Sequence, residues 1–486
     1  MSRLLPRLAA LALLLSSAAT AREGDNDLRF SSDGQVTTSF DIAGTPLTDQ
    51  AQRVLVTANG RYIAVGYVST GNVGLAAYKP DGSVDTTFGV SGKVAYTSAL
   101  LAVTDATLDA VGRTVVVGYG IKPGGSWPDL DPVVCRYTAS GQRDTGISAT
   151  GCRSIAVDAV ANGMDTPSAV TTDGAGQIYV AGQVQRGAED YDFLVLKLSA
   201  ADASPLSTFD GDGIRYIAFD VNANHGGGDV DGAQAILLQG TLLTIAGYAE
   251  NEQGFDFALA RISALDGSYD TTFCASSGVC SSSDVLGGKR TIGFDLGGTN
   301  DDRARALAQT ADGKLIVAGE AMRVINGTAY NQYLVTRLNA DGSFALPFGS
   351  SVAFYDDILP DLTVTGVAVQ SDGKIVLAGD TAQTSGNVSP NRMLWVARLN
   401  ANGTPDSGFA TALGGGTSAT TVIAFAKADD SQPLDHRGGA LTLDHGRAVL
   451  AGSRLWRRDM ANGIDDWDFA ITRLEGDVIF TDGHEF

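Results

Sequence analysis

Carboxylates are the one plentiful reactive group in this chain: 55 aspartates and glutamates stand against 34 lysines and arginines and four histidines. Carboxylates in pairs or triplets can act as general acid and base or hold a hard divalent cation. One recurrent set comprises Asp229 and Asp231, Asp301 and Asp302, Asp429 and Asp430, and Asp361, with Asp49 and Asp165 alongside. Each precedes a short alternating run of small apolar residues, so these carboxylates would gather at one end of a family of strands. They are the candidate ligand-face residues. The competing reading is that they only start turns and keep the surface hydrated.

Other chemistry is sparse. The chain has no G-x-S-x-G elbow, no H-E-x-x-H and no G-x-x-x-x-G-K-[ST] phosphate loop, so no catalytic residue is assigned. Asp210-Gly211-Asp212-Gly213 lacks the third carboxylate and the distal glutamate of a calcium loop, and reads as a turn. No cofactor is called for, and calcium is the one ion the acidic loops would admit. His436 and His445 fall in one stretch and read as solvent-side residues. Asp131, Asp192, Asp256 and Asp468 each stand five residues before Arg136, Lys197, Arg261 or Arg473. That offset puts the two on opposite faces of a strand, so pairing is expected between neighbouring units.

These residues are carried by a repeated hairpin. Ala311-Asp312-Gly313-Lys314-Leu315-Ile316-Val317-Ala318-Gly319 recurs as Ser371-Asp372-Gly373-Lys374-Ile375-Val376-Leu377-Ala378-Gly379, and weaker copies end in Gly66, Gly118, Gly182, Gly247 and Gly452. Asp-Gly supplies a tight turn, and the β-branched run after it a strand that stops at the glycine. Seven units spaced 52 to 73 residues apart are longer than solenoid repeats and suit propeller blades of four strands. In each, an alanine-rich strand A would line the axis. Strands B and C follow, then an Asp-Thr-Thr-Phe element such as Asp85–Phe88 or Asp270–Phe273, and then strand D. The A–B turns are short, whereas the D–A and B–C connections are long and varied, as at Ala321–Asn331 and Arg454–Asp466.

The ends complement each other. Gln35–Asp41 is a D strand with nothing before it, and the last unit has A, B and C but no D. Bare sheet edges are costly, so the N-terminal strand is expected to complete the last blade and close the ring.

Four cysteines fall in two local pairs, Cys135 with Cys152 and Cys274 with Cys280, without the C-x-x-C spacing of a metal site. Two disulfides are expected. Arg3 and Arg7, an apolar run from Leu8 to Leu15 and Ala19-Thr20-Ala21 have the layout of a secretory signal peptide, residues 1–21. The propeller would then occupy residues 22–480, with a short tail over 481–486. A net charge of −21 argues against nucleic acid and anionic membranes as partners.

The pattern Asp81-Gly82-Ser83-Val84-Asp85-Thr86-Thr87-Phe88-Gly89 with Gly92-Lys93-Val94, together with the Asp-Gly-Lys-Ile-Val run, resembles the bacterial delta-60 repeat family. The resemblance spans almost all of the chain after residue 21 and weakens in the second and seventh units, where Asp-Thr-Thr-Phe is missing. It implies an exported, propeller-like protein and transfers no catalytic residue.

The expected architecture is thus all-β: a single β-propeller of seven four-stranded blades, periplasmic or secreted, monomeric and not inserted in a membrane. Two functions remain open on sequence. One is a non-catalytic binding or scaffold module that meets an extracellular or periplasmic ligand through the acidic loop face. The other is a hydrolase or lyase acting on an extracellular sugar or lactone, with calcium in support.

Overall fold

The computed structural model describes residues 23–40, 48–68, 72–125, 127–221, 229–276, 279–280, 287–294, 296, 299–325, 327–348, 352–354, 362–383, 391–409, 419–423, 425, 435–459 and 464–476. The signal segment, the tail from 481, and Asp361, Asp429 and Asp430 lie outside them. Seven four-stranded antiparallel sheets form the blades of a single propeller. In the first blade the strands run outward as Asp49–Val56, Tyr62–Val68, Asn72–Tyr78 and Lys93–Thr97. The other inner strands are Ala102–Leu108, Thr166–Thr172, Gly232–Gln239, Asp302–Gln309, Leu362–Val369 and His436–Asp444.

Strands B and C are apolar on both faces because each blade is covered on both sides by a neighbour. The buried side chains form seven clusters, one at each blade–blade contact. Large residues cross these contacts, as where Trp395 stacks on Tyr333 with ring centroids 5.2 Å apart.

The ring closes as the sequence requires. Gln35–Thr38 pairs antiparallel with the strand Ile464–Arg473, with Gln35 opposite Thr472 and Thr38 opposite Phe469. The N-terminal segment also supplies the element missing from the seventh unit. In four blades the phenylalanine of the Asp-x-x-Phe turn donates its N–H to the aspartate carbonyl, as Phe88 does to Asp85 and Phe273 to Asp270. Phe409 does so to Asp406, and in the last blade Phe30 does so to Asp27. Asp27-Leu28-Arg29-Phe30 therefore stands where Asp-Thr-Thr-Phe belongs.

Two expectations are corrected here. First, the B strands do not stop at the signature glycine. They run on through it, to Val68, Ile121, Gln185 and Glu250, and the supposed loops after Gly319 and Gly452 are largely paired strand. Leu315–Ile325 pairs with Thr328–Leu338 without interruption as far as Ile325 opposite Thr328. Arg447–Asp459 likewise pairs with Ile464–Arg473, with one irregularity. Beyond Ala321, where the inner strand stops pairing, Met322 to Ile325 pair as a strand with strand C alone, which makes a two-stranded ribbon beyond the sheet body.

Second, the cations ending strand C do not pair with an aspartate of the neighbouring blade. Arg136, Arg261 and Arg398 each donate from Nε to an aspartate of their own blade, Asp144 at 2.7 Å, Asp270 at 2.7 Å and Asp406 at 2.8 Å. At least one terminal nitrogen of each reaches the next blade, as where Arg136 donates to the Ala201 carbonyl at 2.9 Å. Lys197 meets the Leu265 carbonyl at 3.0 Å, and Arg473 meets Pro80 at 2.6 Å. Carbonyl oxygens at tight turns are better placed than a strand aspartate on the far face. Asp192 and Asp468 pair instead within their own blades, with Arg186 and Arg454.

Both disulfides form. Cys135 and Cys152 face each other across the outer two strands of the second blade, and Cys274 joins Cys280 just after the fourth blade's Phe273. Such links constrain the unfolded chain more than the native one. Replacing Cys135 and Cys152 together by alanine should cost about 2–4 kcal/mol in denaturant titration. Alkylation without reduction should label no cysteine of the wild type; four labelled thiols would refute the pairing.

Candidate functional site

Each inner strand carries a bulge at the same height. The register against strand B skips one residue between Ala51 and Arg53, between Val103 and Asp105, and between Pro167 and Ala169. It does so again between Ala233 and Ala235, Ala304 and Ala306, Val364 and Gly366, and Gly438 and Ala440. A bulge forces one unpaired residue out of the ladder and re-aims its side chain. The seven residues so displaced are Gln52, Thr104, Ser168, Gln234, Arg305, Thr365 and Gly439.

The signature glycines exist because of these bulges. Gly66, Gly118, Gly182, Gly247, Gly319, Gly379 and Gly452 each pair with the residue just before the skip. There the inner strand is pressed against strand B. A Cβ on any of them would run into a carbonyl oxygen of the inner strand, standing 2.6 Å from it even at the loosest position, Gly452. The repeated glycine is thus a record of the bulge, not a strand terminator.

All seven bulge residues line one axial opening of about 310 Å³, together with Arg53, Glu320, Thr363, Val364, Gly438 and Ala440. Below it the channel continues, lined by all seven inner strands and by small residues such as Ala169, Ala235, Ala306 and Gly366. The opening lies toward the starts of the inner strands, on the face that carries the D–A and B–C connections. That face is confirmed by pairing of D–A residues with the starts of C strands, Leu130 with Met164, Tyr191 with Val230 and Phe255 with Asp301. Among the described residues, the side chains of Gln52 and Ser168 have no protein partner. Thr365 donates to the Gly439 carbonyl at 2.8 Å, and Gln234 accepts from Arg305 at 3.1 Å. Glycine stands at position 439, where the other six positions carry side chains; a Cβ there would lie 2.9 Å from the Gly379 carbonyl oxygen and 3.1 Å from the Thr365 hydroxyl.

Two buried carboxylates serve the wall of this opening. Asp105 pairs with Arg53 and accepts the Val170 N–H of the next inner strand at 2.8 Å. Glu320 accepts the Val364 N–H at 2.8 Å and holds Arg305 at 3.3 Å. Both carboxylates are thus committed as braces between blades.

The aspartates predicted from sequence sit elsewhere on the same face. Asp231 and Asp302 are buried at the D–A junctions, where they accept the N–H of Phe219 and Phe294, each at 2.7 Å. Asp49 does the same for Phe40 at 2.8 Å. In the seventh blade the role passes to His436, whose Nε2 accepts the Phe425 N–H at 3.2 Å. His436 is therefore buried and not solvent-side, and burial drives its ring down to about 4, while His445 is exposed. Asp301 is half-buried and accepts from the Thr299 hydroxyl; Asp229 is buried, and its carbonyl accepts the Tyr191 N–H.

Burial pushes Asp231 up to about 8, with the charges of Asp192, Asp229 and Asp220 adding to it against the Phe219 amide. Burial likewise raises Asp165 to about 7 and Asp192 to about 6. Among the described residues no three histidine, cysteine or acidic side chains form a group able to hold a metal ion. The bulge ring itself went unseen in the sequence. The signal was a break in the period-two alternation of strand A, as at Ala51-Gln52-Arg53-Val54, 13 or 14 residues before each signature glycine.

Fold and opening together define a seven-bladed β-propeller with a polar axial mouth. Residues 57–88, 243–273, 310–344 and 370–409 match a family model described as a domain of unknown function (DUF5122) beta-propeller. These segments cover strands B and C of the first, fourth, fifth and sixth blades. No curated protein matches the chain by sequence. Among solved structures, the polysaccharide lyase Uly1 is 11% identical over 90% of this chain and 91% of its own, with a TM-score of 0.47. The Penicillium chrysogenum α-L-arabinanase in complex with arabinobiose is 11% identical over 90% of this chain and 96% of its own, with a TM-score of 0.38. The Fusarium graminearum α-L-arabinofuranosidase Arb93a is 11% identical over 93% and 98%, with a TM-score of 0.37. Likeness of this degree carries no argument about activity. No helix among the described residues is long and apolar enough to cross a membrane, and the two disulfides are the chemistry of an oxidising compartment.

Proposed function

We propose that this chain is an exported binding module that takes a small polar ligand at the axial mouth, on the face of the D–A and B–C connections. One observation carries the reading: seven equivalent bulges turn six side chains, all hydrogen-bonding types, toward a single opening. A volume of about 310 Å³ is at the small end for ligand pockets, which suits a ligand of monosaccharide size. Binding is favoured over hydrolysis or lyase chemistry by the state of the mouth's carboxylates. Asp105 and Glu320 both accept backbone N–H groups and hold arginines, which leaves neither poised as a general acid or base. The disulfides and the signal-like N-terminus support a periplasmic or secreted location.

The test is a thermal-unfolding screen against monosaccharides and sugar acids. A ligand at about 100 times its Kd stabilises the native state by about 2.7 kcal/mol, which is read as a raised midpoint. Ser168→Trp, which fills the mouth, should abolish the shift, and Lys314→Gln on the opposite face should preserve it. A shift that survives Ser168→Trp would place the ligand elsewhere.

A further inference from the structure

The charge at the mouth runs against the charge of the chain. The protein carries a net −21, yet among the described residues the ionic side chains that reach the opening are Arg53 and Arg305, from the first and fifth blades, with Glu320 behind Arg305. Each arginine is held from behind by a carboxylate sunk in the wall. Asp105 is 3% and Glu320 6% exposed, whereas the arginine side chains are 30% and 29% exposed. Each ion pair therefore turns its positive end to the lumen, and the amides of Val170 and Val364 pin its negative end.

The two guanidiniums also keep donors in reserve. A guanidinium has five N–H donors in a planar fork. Arg53 commits only Nε, to Asp105, and among the described residues its two terminal nitrogens have no acceptor. Arg305 commits Nε and one terminal nitrogen to Glu320 and the other to Gln234, which leaves it two N–H groups. The free terminal edge of Arg53 is the one that matches a carboxylate through two parallel hydrogen bonds. Around it stand the unpartnered amide of Gln52 and hydroxyl of Ser168, which can both donate and accept.

We infer that the mouth binds a small hydroxylated carboxylate of sugar-acid size. Its carboxylate lies on the terminal edge of Arg53 with Arg305 facing it, and its hydroxyls lie on Gln52, Ser168 and Gln234. This rests on the mouth being the binding site and adds the ligand's charge and class. The buried carboxylates need not be displaced, because the ligand uses guanidinium edges that the wall leaves open. Attraction through this short, partly enclosed space is screened by salt only in part.

Calorimetry with D-glucuronate and D-glucose, alike in ring and differing in the carboxylate, separates the two readings. Glucuronate should bind the wild type at least about tenfold tighter than glucose, the worth of one charge-assisted contact. Its affinity should fall as salt rises. Arg53→Lys keeps a cation beside Asp105 but removes the fork, and should weaken glucuronate about tenfold more than it weakens glucose. Arg305→Gln provides a second reading if Arg53→Lys does not fold, with the same direction expected. Equal affinity for the two sugars, with both lost in Ser168→Trp, overturns the anion inference and leaves the mouth in place as the site. Glucuronate binding untouched by Ser168→Trp overturns both. No saturable binding of glucuronate up to about 10 mM overturns the inference as well.

Discussion

A chain lacking residues 23–40 should not form the ring. Its far-ultraviolet spectrum should retain strand, but its near-ultraviolet signal and cooperative melting should be lost. The segment contributes the outer strand of the last blade and opens a bare edge when removed. It also contributes Phe30 and Phe40, buried in the cluster with Tyr62, Tyr78, Val449 and Phe469 at the seam between last and first blades. Loss of one buried phenylalanine costs about 3–5 kcal/mol. Asp27 accepts the Nε–H of buried Arg473 at 2.8 Å, so deletion removes its nearest carboxylate and leaves, among the described residues, only Asp444 at 3.9 Å, at a further cost of up to about 3–5 kcal/mol. Together these approach the whole stability of an ordinary domain, about 5–15 kcal/mol. The single change Asp27→Ala should already cost about 3 kcal/mol in a denaturant titration. A truncated chain that melts cooperatively within a few degrees of the wild type would refute this account of ring closure.

Replacing Gly319 by alanine should be among the most damaging single changes in the molecule, although it adds one methyl group. The new Cβ would collide with the Arg303 carbonyl oxygen and the Ala304 Cα, which are backbone atoms of the inner strand and cannot rotate away. Overpacking usually costs about 1–3 kcal/mol, and a backbone clash at a bulge belongs at the top of that range. Gly247→Ala should behave alike, since its Cβ would meet the Gly232 carbonyl. Gly174 is the control: nothing lies within 4 Å of a Cβ there, and alanine should be neutral or slightly stabilising. Urea titrations of the three variants decide the matter. A cost below about 1 kcal/mol for Gly319→Ala would show that the bulge can relax, and the glycine would need another explanation.

The repeated Asp-Gly hairpin, the unit length, the orphan strand at one end and the vacancy at the other were all legible in the sequence. They are local or periodic properties: turn chemistry acts over four residues, and strand pattern over eight. Seven blades, ring closure and the two cysteine pairs follow from them. The roles of single polar residues were not legible in the same way. Asp231 and Asp302 looked like surface carboxylates because they sit among turn residues, yet the chain folds the Phe219 and Phe294 amides onto them and buries them. His436 reads as an isolated histidine until the seventh blade places it where other blades carry aspartate.

What the sequence alone determined, then, is the fold, because each blade's turns and strands are encoded within its own stretch of about 60 residues. The mouth was decided by tertiary structure. Gln52, Ser168, Gln234 and Arg305 are separated by 66 to 116 residues along the chain and share no motif. They meet only because every inner strand is bulged at one height and seven such strands surround one axis. The sequence does carry the cause, in the glycine that each bulge demands of its neighbour. A glycine marks that something must approach closely, and only the assembled sheet shows which strand it is and which side chain the approach turns toward the axis.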